Sequence, residues 1–213
     1  MKPILLLLLL TGMQANAGTL FSDLGSPPSY STIASTGVEG SGAGTWFTKA
    51  EPFTVSGTGL FQLDQFDLGV GNYAGPGTFT ASIWTNSSNQ PGTELGSWDL
   101  STSTKFGNCC DLVTQSGITG ITLTGGVEYW MVLGPQSPTD DSLNQWAENT
   151  QGVKAIELAS LDGGATWSSS GSQPEAAFDV LGTAVTNGVP EPSSVLLLGT
   201  GLVGLLLARR RQR

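Results

Sequence analysis

Over much of the chain, apolar residues recur at every second position in short windows, the period of a strand with one buried face. In residues 78–85 (TFTASIWT), Phe79, Ala81 and Ile83 fall on one side and Thr78, Thr80, Ser82 and Trp84 on the other. Residues 61–70 (FQLDQFDLGV) alternate as Phe61 and Leu63, slip at Asp64-Gln65, and resume as Phe66, Leu68 and Val70. A one-residue phase slip of that kind predicts a β-bulge. Residues 121–133 (ITLTGGVEYWMVL) predict a hairpin turning at Gly125-Gly126, because a tight turn needs positive φ and glycine supplies it. Beyond that turn Val127, Tyr129, Met131 and Leu133 share a face. Further strands are predicted in residues 94–100, 111–116, 153–160 and 176–185. Residues 19–44, rich in Ser, Gly and Pro, read as loop or sheet edge. Turn signals recur and helical spacing does not, so the predicted fold is all-β, an antiparallel β-sandwich with a jelly-roll-like strand count.

The two ends break this pattern. Residues 1–17 open with Met1-Lys2-Pro3, continue with an apolar run over 4–10, and close on Ala15-Asn16-Ala17, the small-x-small pattern of signal peptidase cleavage. The mature chain is therefore expected to begin at Gly18, with residues 18–187 forming one exported domain. At the other end, residues 193–208 carry no charge. A helix of that length reaches about 24 Å, short of a bilayer core of about 30 Å. Arg209, Arg210, Arg211 and Arg213 follow at once, and positive charge stays on the cytoplasmic side, which places the bulk of the chain outside. Pro190 and Pro192 hold the backbone around Glu191 extended.

In this order and spacing, VPEPSS, then VLLLGTGLVGLLLA, then RRRQR resembles the PEP-CTERM sorting signal over residues 188–213. The motif residues are Pro190, Glu191 and Pro192, the transmembrane segment is 193–208, and the arginine cluster is 209–213. The resemblance implies an exosortase, an integral-membrane enzyme of Gram-negative bacteria that accompanies exopolysaccharide production. It also implies a membrane anchor before processing and, afterwards, release to the cell surface or extracellular matrix. The same motif also bears an ice-binding name, which by itself assigns no activity. Residues 81–98 and 125–133 resemble, more weakly, the choice-of-anchor β-rich domains of exported bacterial proteins.

Composition narrows what the exported part can do. Residues 18–189 hold three lysines and no arginine against sixteen acidic residues, a net charge of −13. Such a surface repels phosphate backbones, so nucleic acid is not expected as a partner. The chain has no histidine, which removes Ser-His-Asp and Cys-His catalysis and the common zinc sites. Paired carboxylates such as Asp64 with Asp67, or Asp140 with Asp141, could serve a glycoside hydrolase, but they read better as solvated turn residues. No cofactor is expected; calcium is the one candidate, through hard oxygen ligands in residues 137–144 (SPTDDSLN). The expected function is thus non-catalytic, structural or adhesive in an exopolysaccharide layer, with a carbohydrate- or calcium-binding module as the alternative.

Three local features add detail. Ser160, Asp162, Gly164, Thr166 and Trp167 fit S-x-D-x-G-x-T-W and resemble the Asp box of sialidase-like propellers, whose role is a structural turn. One copy in a short chain implies the turn and not the propeller. Cys109-Cys110 leaves three readings open: a vicinal disulfide, an intermolecular cross-link, or free thiols. Trp84, Trp98 and Trp130 sit opposite more aliphatic strand faces and are candidate glycan contacts, with a second layer of core as the competing reading. Thr-rich strands lack the regular Thr-x-Thr array of an ice-binding face, and Asn86-Ser87-Ser88 is a glycosylation sequon.

Overall fold

The computed structural model describes residues 17–109 and 111–185. Ala15, residues 190–213 and Cys110, which carry expectations set out above, lie outside these residues. Among the described residues the chain forms fourteen strands and no helix. They are β1 (Gly18–Ser22), β2 (Tyr30–Glu39), β3 (Thr48–Thr54), β4 (Leu60–Leu68), β5 (Val70–Ala74), β6 (Thr78–Asn86) and β7 (Pro91–Ser101). There follow β8 (Val113–Ser116), β9 (Thr122–Thr124), β10 (Glu128–Gly134), β11 (Leu143–Asn149), β12 (Lys154–Ser160), β13 (Ser168–Pro174) and β14 (Phe178–Ala184).

All pairings between these strands are antiparallel. One layer is a six-stranded sheet in the order β13-β12-β3-β10-β6-β7. The facing layer is a five-stranded sheet, β1-β14-β4 with β8 and β9 sharing the far edge of β4, and a three-stranded sheet, β2-β11-β5. Backbone bonds stitch the two sheets of this layer together where β4 passes into β5 at Gly69. The Gly69 amide donates to Ala177, and the Gly69 carbonyl accepts from Ala147. A Cβ on Gly69 would stand 2.9 Å from the Tyr30 ring, so glycine is what lets the chain pass there. An eight-stranded jelly roll is thus an undercount, because β3, β11 and β13 carry too little apolar alternation to register as strands.

The core lies between the layers. Phe79, Ala81 and Ile83 of β6 face Leu63 and Phe66 of β4 and Phe178 and Val180 of β14, all inaccessible to solvent. Phe53, Phe178 and Tyr129 stack at ring-centroid distances of 5.8 and 5.9 Å, with Phe178 edge-on to Phe53. The phase slip in β4 is a bulge: Leu181 pairs with Gln65 and Gly182 with Leu63, leaving Asp64 as the extra residue. Residues 19–44 are both loop and sheet edge: β1 and β2 lie at the margins of their sheets, and 23–29 and 40–44 fall outside any strand.

The hairpin expected at Gly125-Gly126 is not one. β9 pairs with β4, whereas β10 pairs with β3 and β6, so the turn carries the chain from one layer to the other. Gly126, at φ +77°, donates to Val55, and Gly125 donates to Gly59. Gly126 takes the positive φ foreseen, whereas Gly125 is needed for space, since a Cβ there would lie 2.6 Å from the Gly57 carbonyl oxygen; the local pattern is blind to which sheet the next strand joins.

Candidate functional site

β10 is buried on both faces. Tyr129, Met131 and Leu133 enter the main core, while Val127 is 41 % exposed and falls outside it. Trp130 and Val132 point to the opposite, outer face of the six-stranded sheet, where they join Ala50 and Leu158 in a second small core. Trp84 and Trp167 pack against that cluster from the solvent side. Trp130 is only 2 % exposed and its indole N–H reaches Asn86 Oδ1 at 3.3 Å, so it does not present a face to solvent as expected. Trp98 is also corrected: it pairs with Ala81, turns inward, and meets Phe66 edge-on at 5.1 Å. Of the three tryptophans singled out, Trp84 alone stays at the outer surface, half-buried, its N–H fixed by Ser82 Oγ at 2.8 Å.

Cross-strand register builds a pocket beside Trp84. Trp130 pairs with Trp84, and Trp84 pairs with Glu94; in the next row Val132 pairs with Ser82, and Ser82 with Ser97. One row further Gly134 pairs with Thr80, which donates to Asp99 at 2.8 Å. Gly134 has no side chain to fill the sheet surface, and a cavity of about 180 Å³ opens there. Trp84 and Glu94 border it on one side and Trp46 on another. Trp46 is half-buried, and its Nε1 is buried without a hydrogen-bond partner among the described residues. Trp46 was not foreseen, because it lies in a Gly- and Thr-rich loop with no alternation around it. A second cavity of about 290 Å³ adjoins Trp130, lined also by Pro52, Glu128, Lys154 and Ile156.

The Asp-box turn closes the Trp46 side. Ser160 Oγ accepts from the Gly164 amide at 2.7 Å, and Asp162 accepts the Thr166 amide at 2.8 Å and the Thr166 hydroxyl at 2.7 Å. The Thr166 hydroxyl, then Ser160, stabilise the ionised carboxylate and pull its pKa down to about 2. Trp167 packs on the second core, and a Cβ on Gly163 would come within 2.4 Å of the Trp46 ring.

A different chemistry lies between the layers. Lys49 and Glu51 share the inward face of β3 with Phe53, and a cavity of about 250 Å³ there is lined by Ser35, Glu148 and Glu157 as well. Lys49 Nζ holds Glu157 Oε1 at 2.8 Å. Glu51 is 1 % exposed; one carboxyl oxygen accepts from the Ala176 amide and the other has no partner among the described residues. Burial first, then the charges of Glu157 and Glu175, hold its pKa well above the ordinary value. Burial likewise lifts Glu175 to about 9 and Asp23 to about 8. This seam therefore stores protons near neutral pH. It escaped sequence reasoning because a buried carboxylate and a solvated one are written with the same letter.

The carboxylate pairs named from sequence serve as braces. Asp64 accepts the Thr183 hydroxyl, and Asp67 accepts from Gln65 and the Thr114 hydroxyl. Asp140 accepts the Ser142 amide at 2.8 Å and the Thr78 hydroxyl at 3.0 Å. Burial opposes its charge, but these bonds outweigh that and leave its pKa below the usual range. Asp141 is exposed. Among the described residues no three acidic or cysteine side chains come together with metal-site spacing. Cys109 is disulfide-bonded; the chain has one other cysteine, Cys110.

Among the described residues no helix is long and apolar enough to cross a membrane. No curated protein matches the chain. Beyond the last strand, residues 188–212 match the PEP-CTERM protein-sorting motif, the signal of exported proteins sorted by an exosortase.

Proposed function

We propose that the chain is an exported, non-catalytic protein of the cell surface or extracellular matrix, processed by an exosortase and structural or adhesive within an exopolysaccharide layer. The observation that carries this reading is the sorting motif at residues 188–212, just past a β-sandwich whose last strand ends at Ala184. Signal peptidase removes residues 1–17, the segment 193–208 anchors the precursor, and Arg209, Arg210 and Arg211 hold its end in the cytoplasm. Exosortase then acts near Pro190, Glu191 and Pro192.

A non-catalytic role accords with the absence of histidine from the sequence and with the hydrogen-bonded state of Asp64, Asp67 and Asp140. Those bonds also weigh against calcium at residues 137–144, since Asp140 already accepts the Ser142 amide and the Thr78 hydroxyl of β6. The test is the intact mass of the exported protein in a host that has an exosortase. The expected mass lacks the residues after the motif, and Glu191→Ala accumulates as an anchored precursor. Exported protein still carrying Arg213 would defeat the reading.

A further inference from the structure

We infer that the pocket between Trp84 and Trp46 on the outer face of the six-stranded sheet binds a sugar ring of an uncharged polysaccharide. This deepens the adhesive reading and rests on it, since a matrix protein needs a surface that holds the matrix. Three observations converge on that chemistry.

Trp84 is a fixed aromatic ring. Its N–H is held by Ser82 two residues back on β6, and its inner side rests on the Trp130 cluster, which leaves the rest of the ring toward the pocket. A hexose has an apolar C–H face that stacks on such a ring at little entropic cost, because the ring is already immobile. Directly across from Trp84 on β7 stands Glu94, exposed and able to accept two hydroxyl donors. Ser97 and Thr80 add hydroxyls on the floor. An aromatic face beside a carboxylate and hydroxyls matches the amphipathic surface of a sugar and suits neither a lipid nor a phosphate.

Second, Trp46, half-buried, lines another wall of the pocket, so a bound ring meets the surface of two tryptophans. Third, the cavity holds about 180 Å³, room for one sugar ring.

Charge selects the polymer class. The exported part carries −13, and Glu94 and Asp99 lie in and beside the pocket. A uronic-acid polymer would meet repulsion there, whereas a neutral glycan would not.

The test is native affinity electrophoresis of the exported protein in gels containing hydroxyethylcellulose, a soluble β-1,3-glucan, galactomannan or alginate. At least one neutral polymer is expected to retard migration, and alginate is not. Trp84→Ala should weaken retardation about tenfold or more. Ser97→Trp fills the pocket from an exposed position, so it should abolish retardation while thermal unfolding stays that of the parent. Ile33→Ser, an exposed change on β2, should leave binding intact. Absence of retardation by all three neutral polymers overturns the inference, as does preferential retardation by alginate. Retardation that survives Ser97→Trp in a folded protein equally removes this pocket from consideration. None of these outcomes touches the C-terminal mass, so sorting and glycan binding stand or fall separately.

Discussion

The carboxylate of Asp23 accepts the backbone amide of Phe178 at 2.7 Å and is only 1 % exposed, so a buried acid just past β1 ties the chain to the start of β14. Its second oxygen has no partner among the described residues. Burial lifts its pKa to about 8 from 3.8, Glu175 rises to about 9 from 4.5, and Glu51 and Asp179 shift the same way. Each binds its proton more tightly folded than unfolded, so unfolding releases protons across that interval. The resulting stability is fully present below the unfolded values and is lost as pH rises through about 8 and about 9. Asp162 has the opposite sign, its contribution vanishing as pH falls from 3.8 through about 2. Thermal midpoints should therefore be highest near pH 4 to 5 and fall steadily toward pH 9. Asp23→Asn keeps the acceptor for Phe178 but cannot ionise, and should flatten the alkaline decline. A midpoint that climbs from pH 5 to pH 9 would contradict the buried-acid account.

Gly163 and Gly117 separate two costs of replacing a glycine. Both have positive φ, +71° and +70°, so alanine at either position incurs the left-handed penalty of about 1–2 kcal/mol. At Gly117 the added Cβ meets nothing within 4 Å, whereas at Gly163 it would lie 2.4 Å from the Trp46 ring. Gly163→Ala should destabilise clearly more than Gly117→Ala in urea titrations, and should perturb tryptophan emission, which Gly117→Ala should not. Equal losses would show that the Asp-box turn does not bear on Trp46.

How much of this was readable in the residues depends on which faces are buried. Strands with one wet face, such as β6 and β14, show the two-residue period directly, and even the Asp64 bulge shows as a missed beat. β3 hides because its inward positions Lys49 and Glu51 are charged, though Glu51 is 1 % exposed. β11 hides for a related reason, with Asn144 and Asn149 buried among its apolar residues. β13 has no buried residue at all and exists because the Asp-box turn folds it back on β12. Trp98 faces the side opposite to the one its alternation predicts, because the register slips between Ile83 and Trp84, opposite residues 94–96, and reverses the phase of β7. The pocket at Trp84 needs three strands in register and a loop tryptophan, a conjunction that no local window contains.

The start of β1 makes the N-terminal processing site checkable. Gly18 pairs with Gly182 on the edge of the five-stranded sheet, and Leu20, 3 % exposed, belongs to the main core. Cleavage after Ala17 leaves the strand whole, while cleavage a few residues later would remove Leu20 from the core. N-terminal sequencing of the exported protein should read Gly18-Thr19-Leu20-Phe21. Ala17→Leu, which offers a bulky residue where a small one is required, should retain the leader. A mature terminus beyond Leu20 would rule out this boundary.

Trp130 and Trp84 are neighbours on the outer face, yet their replacement should have different consequences. Trp130 is sealed under the second core, packed with Val132 and Leu158 and bonded to Asn86. Trp130→Ala leaves a cavity that the surrounding strands cannot collapse into, at a cost of about 3–5 kcal/mol. Asn86 would keep its donor bond to Glu128 Oε1 at 2.8 Å but lose the indole it accepts from. Trp84→Ala removes a half-buried ring whose lost contacts are partly replaced by water, so the stability loss should be markedly smaller. Denaturant midpoints at unchanged slope give both quantities. If Trp84→Ala proved as destabilising as Trp130→Ala, the ring would be core in function, and a free stacking face at the pocket would have no basis.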